Sequence, residues 1–478
     1  MIFLALVSWP FVVMGFFARY RVQLAVILSV ISAYLLLPTD VGLDLPILPK
    51  FDKVFMAGAL VILISWLSGA AQKADQSDAR PGWMPRNKLI LSLITLLILS
   101  DFSTVMTNTD PIAVGGRFLP GLRPYDAFSS VLSSLIMLSP FLLARKFLAT
   151  SESHLLLLKA LAIAAALYAF LALFEVRMSP QINLSVYGYF PHDWIQHRRG
   201  SWWRPIVFLS HGLMVGIFFS TACLAAVAAF RADKSARIYL GLGGWVLFAL
   251  LMASTLGAFA IAILLLPAVL LLNARLQLLT AAAIAGVVLL YPTLRNAGYI
   301  PTAQITQYAE SISPERAGSL RLRLDNEDLF LERAAERPLF GWGGWGRARM
   351  YDARGRDTSV ADGAWVITFV MGGWLRYIAV FGLLCAAPIL LALNRNIPAH
   401  LATSGLCLVL GANLIDLIPN SGLNALIWLT AGALAGRLET ARNTAPTTQP
   451  PPQDPATPSP YTRQNTRHVK TRYARFQK

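Results

Sequence analysis

Long apolar runs alternate with short polar connections along most of this chain. The runs are about 17–25 residues long, which is the length that a helix needs to cross the hydrocarbon core of a bilayer. Thirteen membrane spans are therefore predicted, the first of them short: residues 2–17, 22–37, 54–70, 88–106, 126–144, 155–175, 205–230, 237–253, 256–273, 277–293, 364–393, 401–418 and 423–437. The 364–393 run is unusually long and carries the pair Gly372-Gly373 and Arg376, which predicts a broken or partly interfacial helix.

Two polar segments interrupt this pattern. Residues 294–363 form one large loop between spans, and residues 440–478 form a tail that is rich in Pro, Thr and Gln and then basic. Such a tail cannot bury a core, so it should be disordered, with its basic end attracted to anionic lipid. The expected organisation is transmembrane helices over 1–293, the large loop over 294–363, transmembrane helices over 364–439, and a disordered basic cytoplasmic tail over 440–478.

The composition agrees with a membrane protein and excludes several classes. The chain is 56% hydrophobic and 14% charged, with a mean hydropathy of +0.55, far from the values of a soluble globular protein. Cys223, Cys385 and Cys407 all lie inside apolar runs, which predicts packing residues rather than disulfides or metal ligands. The net charge of +16 comes mostly from loops and tail, and its scatter between spans argues against nucleic-acid binding.

The orientation follows from the basic residues that fall in alternate loops, since short cytoplasmic loops are enriched in Lys and Arg. These residues are Arg19, Arg21, Lys73, Arg80, Arg86, Lys88, Arg145, Lys146, Arg231, Lys234, Arg237, Arg275 and Arg395. The C-terminus is then cytoplasmic, and loops 38–53, 107–125, 176–204 and 294–363 face outside, which is the periplasm of a Gram-negative cell. All four outer loops nevertheless carry basic residues, most of them in 176–204 and 294–363. Substrate binding would explain these exceptions.

The large loop has an unusual charge composition. Residues 295–362 contain ten Arg, ten Asp or Glu and no Lys. Of the two basic side chains, only arginine binds phosphate through a planar guanidinium that donates two parallel hydrogen bonds, so this composition indicates a phosphate-bearing substrate. Residues 324–337 read as an amphipathic helix whose start is capped by Asp325 or Asn326. Arg321 and Arg323 precede that start, so the helix N-terminus and the two guanidinium groups would together bind an anion.

A glycine-dense segment follows this helix, Pro338-Leu339-Phe340-Gly341-Trp342-Gly343-Gly344-Trp345-Gly346-Arg347. Glycines at this density indicate close backbone approach or unusual dihedral angles. Trp342 and Trp345 can stack on sugar rings, contact the rest of the loop, or sit at the membrane interface.

These residues resemble a known family. The pattern Ser319-x-Arg321, a helix, and then Pro-Leu-Phe-Gly-x-Gly in a large loop before the last spans resembles the O-antigen ligase and Wzy-type polysaccharide polymerase superfamily of bacterial membrane proteins. An upstream segment, Arg198 to Pro205 followed by His211, resembles the stretch of Arg, Gly and Pro that leads into a span in that family. The resemblance implies an all-α, GT-C-like bundle of about 12–13 spans with a large, partly helical periplasmic loop.

The resemblance also implies a function. Such a glycosyltransferase of the bacterial inner membrane polymerises or transfers an undecaprenyl-diphosphate-linked glycan in exopolysaccharide or O-antigen biosynthesis, alongside other polysaccharide assembly proteins. No metal and no cofactor is expected, because arginines take the place of a cation. The residues expected to bind the diphosphate are Arg199, Arg204, Arg321 and Arg323.

One departure from the ligases concerns the candidate base. Ligases usually carry a His-Asn pair before the span that follows the large loop, whereas this chain has Asp362 there, which favours a polymerase. Asp362 is the first candidate for taking the proton of the acceptor hydroxyl, and His211 is the second. The structural alternatives are that Asp362 caps a helix and that His211 bonds between helices.

Two other function classes compete with the enzyme. A transporter or flippase of lipid-linked oligosaccharide predicts internal repeats and charges along the middle of several spans, but no clear repeat is present and the charges cluster in two outer loops. A structural subunit of an envelope complex would not need a large loop whose basic residues are all arginine.

Overall fold

A computed structural model describes residues 1–44, 50–70, 81–312, 314–360 and 362–443 of the chain. Its α-helices are α1 Ile2–Arg19, α2 Val22–Leu36, α3 Lys53–Ala57, α4 Ala59–Leu67, α5 Lys88–Met106, α6 Pro124–Phe147, α7 Ser151–Met178, α8 Ile182–Tyr187, α9 Gly212–Ala232, α10 Ile238–Met252, α11 Leu256–Leu271, α12 Ala274–Asn296, α13 Thr302–Ile312, α14 Pro314–Ala335, α15 Ala364–Leu393, α16 Leu401–Asp416 and α17 Ala425–Asn443. A 3₁₀ turn covers Ile195–His197. Short antiparallel hairpins pair β1 Gly42–Leu43 with β2 Phe51–Asp52, β3 Ile112–Val114 with β4 Arg117–Leu119, and β5 Arg198–Arg199 with β6 Trp202–Trp203.

The prediction of a helical membrane bundle is confirmed. Each predicted span contains at least one helix, although the 54–70 run is broken at Gly58 into α3 and α4. Seven helices within the described part of the chain are long and apolar enough to cross a membrane, namely α1, α5, α6, α7, α9, α12 and α15, and four shorter apolar helices, α2, α10, α11 and α16, accompany them.

Helix α9 lies at the centre of the bundle. It packs against α7, α10, α11 and α16, and its small side chains let these helices approach closely, as is usual between membrane helices. Cys223 in this helix is buried, and so are Cys385 and Cys407, which confirms that the three thiols are packing residues.

The four loops predicted to face outside lie together at one end of the bundle. The loop predicted over 176–204 continues to residue 211, because α9 begins at Gly212 rather than at the predicted residue 205. Loop 38–53 reaches this longer loop through Lys53, whose Nζ donates to the Phe208 carbonyl at 2.9 Å. Loop 107–125 contacts the large loop through Asp110, whose carboxylate forms an ion pair with the Arg337 guanidinium at 3.0 Å. Of the loops predicted to be cytoplasmic, 81–87 packs with the end of α17 through Glu439, which accepts the Asn87 N–H. The alternation predicted from basic residues is therefore consistent with the fold.

This arrangement predicts the behaviour of topology reporters. Alkaline phosphatase fused near Tyr308 should be active, because that site belongs to the large loop, which is predicted to face outside, and a fusion near Thr448 should be inactive. The reverse pattern would place the large loop in the cytoplasm and would remove the premise of a periplasmic reaction.

The break predicted in the 364–393 run is present, and the glycine-dense segment fills it. Gly373 has φ +62°, outside the helical region, so the helical hydrogen bonds around it are lost. The large loop replaces them: Trp374 N–H donates to the Pro338 carbonyl at 2.8 Å, while the Val370 carbonyl accepts Trp342 N–H at 2.9 Å. The Pro-Leu-Phe-Gly-Trp-Gly segment is thus threaded into α15 as part of the bundle.

Gly341 is the position where this threading leaves no space for a side chain. Its φ is +65°, and a Cβ there would lie 2.5 Å from the backbone nitrogen of Gly372. Gly341→Ala should therefore destabilise the protein by several kcal/mol, since left-handed strain alone costs about 1–3 kcal/mol and the clash adds to it. Thermal denaturation in detergent measures this loss. Gly344→Ala is the matched control, because its nearest neighbour would be a methionine methyl at 3.6 Å, and equal stability of the two variants would contradict the threading.

Two further boundaries differ from the prediction. The loop helix begins at Pro314 rather than near Leu324, so Arg321 and Arg323 lie inside α14. The prediction that these two arginines form an anion site with the helix N-terminus is therefore wrong. At the other end of the chain, α17 continues to Asn443, so residues 440–443 of the predicted tail are helical. The disorder predicted for the rest of the tail concerns residues 444–478, which lie outside the described part of the chain, as do Lys73 and Arg80.

Candidate functional site

A cavity of about 550 Å³ opens at the end of the bundle that carries the four loops predicted to face outside. Loops 38–53 and 176–211 and the large loop line it, together with residues 420–424, which precede α17, and Ala425 at the start of α17. Its polar and titratable lining side chains are Tyr34, Thr39, Asp40, Lys53, His192, Gln196, Ser210, His211, Arg323, Asp362, Asn420, Ser421 and Asn424. The volume lies within the range of small-molecule sites, and the cavity unites three of the predicted site residues: Arg323, Asp362 and His211.

Arg323 and Asp362 form the charged pair of this cavity. Arg323 Nε lies 3.2 Å from Asp362 Oδ2, and both side chains remain about one-third exposed. Two neighbours on α14 hold the segment that carries Asp362. Asn326 accepts the Val360 N–H at 3.0 Å, and Glu327 accepts the indole N–H of the buried Trp365 at 3.3 Å. These two hydrogen bonds hold the chain before and after Asp362. The helix α15 is capped by Gly363 without a side-chain bond, so Asp362 is not its N-cap.

Arg204 lies near Arg323, and Arg199 lies near Arg204, so positive charge is concentrated beside the cavity. Burial lowers the pKa of the Arg204 guanidinium to about 10, and the nearby charges of Arg199 and Arg323 act in the same direction. Arg204 Nε is buried without a hydrogen-bond partner, while its Nη2 reaches only the Ser254 carbonyl at 3.4 Å. Arg199 is exposed and bonds to the carbonyls of Gln196 and Arg198. Neither Arg199 nor Arg204 forms an ion pair with any residue that the structure describes.

A buried carboxylate organises the segment that connects Arg204 to His211. Glu175 at the end of α7 accepts backbone N–H groups of Ile182, Ile206 and Val207 at 2.7–2.9 Å. Val207 adopts a left-handed conformation at φ +52°, which these bonds stabilise. The sequence places Glu175 inside an apolar run, and a lone carboxylate there was a signal that sequence reasoning missed.

Three histidines cluster beside the cavity. The ring centres of His192, His197 and His211 are 4.6–5.6 Å apart. No group of His, Cys, Asp and Glu within the described residues has the geometry of a metal site. Burial, reinforced by the neighbouring histidines and arginines, lowers the pKa of His211 to about 3, so its ring is neutral at pH 7.

His211 has a structural role that limits its chemistry. It is the N-cap of α9, and its Nδ1 accepts the Leu213 N–H at 3.1 Å. A neutral ring whose Nδ1 is an acceptor carries its proton on Nε2. His211 is therefore suited to donate a hydrogen bond to a ligand and poorly suited to act as the base, which leaves Asp362 as the stronger of the two candidates.

Other predicted site residues lie away from the cavity. Arg321 forms an exposed ion pair with Glu310 on α13 and does not line the cavity. Trp342 is buried and donates its indole N–H to the Arg333 carbonyl at 2.8 Å, so it makes loop contacts and presents no face to a sugar. Trp345 is 56% exposed and is not among the cavity residues. Arg376 pairs with Asp101 of α5 inside the bundle, where no lipid phosphate is needed to explain it.

Asp40 and Lys53 also line the cavity, and sequence reasoning selected neither as a site residue. Both come from loop 38–53, where no motif marks them. Lys53 is buried, and its Nζ bonds to Thr39 Oγ1 at 3.0 Å and to the Phe208 carbonyl at 2.9 Å. Burial lowers the pKa of Lys53 to about 7, against the opposing effect of Asp40. The available signal was the presence of two lysines and three aspartates in loop 38–53, where the predicted topology disfavours basic residues.

The described lining of the cavity combines the carboxylates of Asp40 and Asp362 and the basic side chains of Arg323 and Lys53 with neutral donors and acceptors of hydrogen bonds. Arg323 is paired with Asp362, and Arg204 lies near Arg323 and Arg199, but neither Arg199 nor Arg204 lines the cavity. No model of a known protein family matches the chain, and no curated protein shows significant similarity to it.

Proposed function

We propose that this protein is a membrane glycosyltransferase that transfers or polymerises an undecaprenyl-diphosphate-linked glycan during surface polysaccharide biosynthesis. The observation that carries the proposal is the cavity itself. Arg323 and Asp362 lie side by side in it, at the end of the bundle that carries the loops predicted to face outside. Arg204 does not line the cavity, but Arg199 and Arg323 are both close enough to lower the pKa of its guanidinium.

The charges suit a diphosphate. Each phosphate of a lipid-linked diphosphate carries a negative charge, and Arg199, Arg204 and Arg323 together exceed the charge of Asp362. Arg204 Nε, which is buried and unbonded, has a donor available for a phosphate oxygen. Such charge-assisted bonds stabilise the leaving diphosphate as it separates, so neither a metal ion nor a cofactor is required by this mechanism.

The reaction then needs one base. The acceptor oxygen attacks the anomeric carbon of the donor while its proton passes to the Asp362 carboxylate. The bond between the anomeric carbon and the phosphate oxygen breaks, and its electron pair leaves on the diphosphate. The proton on Asp362 is later lost to solvent or to the released lipid diphosphate. His211 Nε2–H donates a hydrogen bond to a sugar or phosphate oxygen.

Deletion of the gene tests the function in the cell. Gel analysis of surface glycan should show short, single-repeat products if the protein is a polymerase, the outcome that Asp362 in place of a His-Asn pair favours. Free lipid-linked polymer would instead indicate a ligase. An unchanged glycan profile, in a strain with no second copy of the gene, would contradict the proposal.

A further inference from the structure

Part of the cavity lining is not used by the diphosphate site proposed above. It contains no arginine and is formed by Asp40 and Lys53 of loop 38–53, Gln196 and Ser210 of the segment that precedes α9, and Ser421 before α17. We call these five residues the Asp40 wall. They come from three parts of the chain, and the fold brings them to one cavity.

The polar groups of this wall have free hydrogen-bonding capacity. Within the described part of the chain, the side chains of Asp40, Gln196, Ser210 and Ser421 make no hydrogen bond, although other polar side chains nearby do. Asn424, for example, caps α17 and bonds to Leu426 N–H at 2.9 Å. Unpaired polar side chains on a cavity wall are available to a ligand. A carboxylate, an amide and two hydroxyls offer both donors and acceptors, as sugar hydroxyls require.

The backbone of the wall is held in place at a conformational cost. Asp40 has φ +63°, a left-handed conformation that few residues other than glycine adopt. Tyr187 and Tyr189 donate their hydroxyls to the carbonyls of Leu36 and Thr39, which fixes the segment leading to Asp40. Strain of this kind, maintained by several bonds, is typical of functional sites.

Lys53 connects loop 38–53 to the segment that carries Ser210 and His211. Its ammonium group bonds to Thr39, next to Asp40, and to the carbonyl of Phe208, two residues before Ser210. Lys53 forms no salt bridge with any described residue. It therefore acts as a positioning residue, which sets the spacing between Asp40 and the segment that carries Ser210 and His211.

We infer that the Asp40 wall binds a hydroxyl-bearing sugar of the acceptor glycan and directs its reacting hydroxyl toward Asp362. This inference rests on the proposed function. The mixture of one carboxylate with neutral donors and acceptors favours a neutral sugar, and Asp40 is the group expected to contribute most, because hydrogen bonds to an ionised partner are the strong ones.

The test uses the full-length protein in lipid nanodiscs, with a lipid-diphosphate-linked donor and, as acceptor probe, the soluble oligosaccharide released by mild acid from the surface glycan of the same organism. Asp40→Asn should raise the acceptor KM about tenfold or more, with the donor KM and kcat at saturation nearly unchanged. Asparagine tolerates the left-handed conformation, so the fold is preserved.

Gln196→Ala, at an exposed position, should raise the acceptor KM severalfold. Asp44→Asn, exposed in the same loop but outside the cavity, is the matched control and should behave as wild type.

The outcomes separate the two proposals. An unchanged acceptor KM in both Asp40→Asn and Gln196→Ala, or a change confined to the donor KM, would overturn the assignment while leaving the proposed function intact. If wild-type protein transfers nothing, the proposed function fails, and binding of the oligosaccharide is then followed by saturation-transfer NMR without donor. Binding that Asp40→Asn abolishes would still support the wall as a sugar site, and no binding to wild type would overturn it.

Discussion

Arg323→Lys is expected to lose about 100-fold or more in the rate of glycan transfer, although the charge is kept. The planar fork of arginine can bond to a phosphate oxygen and to Asp362 at the same time, whereas a lysine ammonium is a point charge on a flexible chain. Loss of a charge-assisted bond at the leaving group costs several kcal/mol in the transition state, and about 1.4 kcal/mol corresponds to a tenfold rate. The rate is measured with purified protein and lipid-linked donor.

Arg321→Lys is the matched control for this experiment. Arg321 lies two residues away on the same helix, but it is exposed and paired with Glu310. The sequence alone assigned both arginines to the diphosphate, and the structure separates them, because Arg323 lines the cavity and Arg321 does not. We therefore expect near-normal activity for Arg321→Lys. Equal losses in the two variants would show that α14 binds the substrate through another face.

Asp362→Asn is expected to abolish long-chain glycan while the protein reaches the membrane at normal levels. Asparagine keeps the size of the side chain but cannot take the acceptor proton, and loss of a general base typically costs about 100- to 10,000-fold in rate. Gly363 caps α15, so a folding defect is not expected. Glycan gels and membrane immunoblots of the same cells measure both quantities.

Asp325→Asn provides the control, since Asp325 is exposed on α14 and outside the cavity. A fully active, normally expressed Asp362→Asn protein would remove the base assignment. Because His211 Nδ1 is occupied by the Leu213 N–H, the search for a base would then turn to Asp40, the other carboxylate that lines the cavity.

The helices could be read from the sequence because each depends on a local run of apolar residues. The break at Gly372-Gly373 was also predictable, since two adjacent glycines weaken a helix wherever they occur. The threading of Pro338 to Gly343 into that break was not, because it depends on backbone groups about thirty residues apart finding one another, and nothing in either segment specifies its partner.

The site was predictable only where motif and geometry coincided. Asp362, His211 and Arg323 were identified from their places in motifs, and all three line the cavity. Arg321 and Trp342 stand in the same motifs but do not line the cavity. A helix turns neighbouring side chains to different faces, which separates Arg321 from Arg323. The sequence does not show whether the indole of Trp342 is buried or exposed. Asp40 and Lys53 were missed because they are more than 100 residues from the other site residues and meet them only in the folded bundle.

Reconstitution of the purified protein shows whether the cavity carries out glycosyl transfer from a lipid diphosphate. Purified protein in nanodiscs is given a synthetic undecaprenyl-diphosphate-linked oligosaccharide, and products are resolved by mass spectrometry. We expect an extended glycan together with one released undecaprenyl diphosphate for each glycosidic bond formed. A donor that stays chemically unchanged, but crosses the bilayer when the same protein is placed in liposomes, would rule out glycosyl transfer and identify a flippase instead.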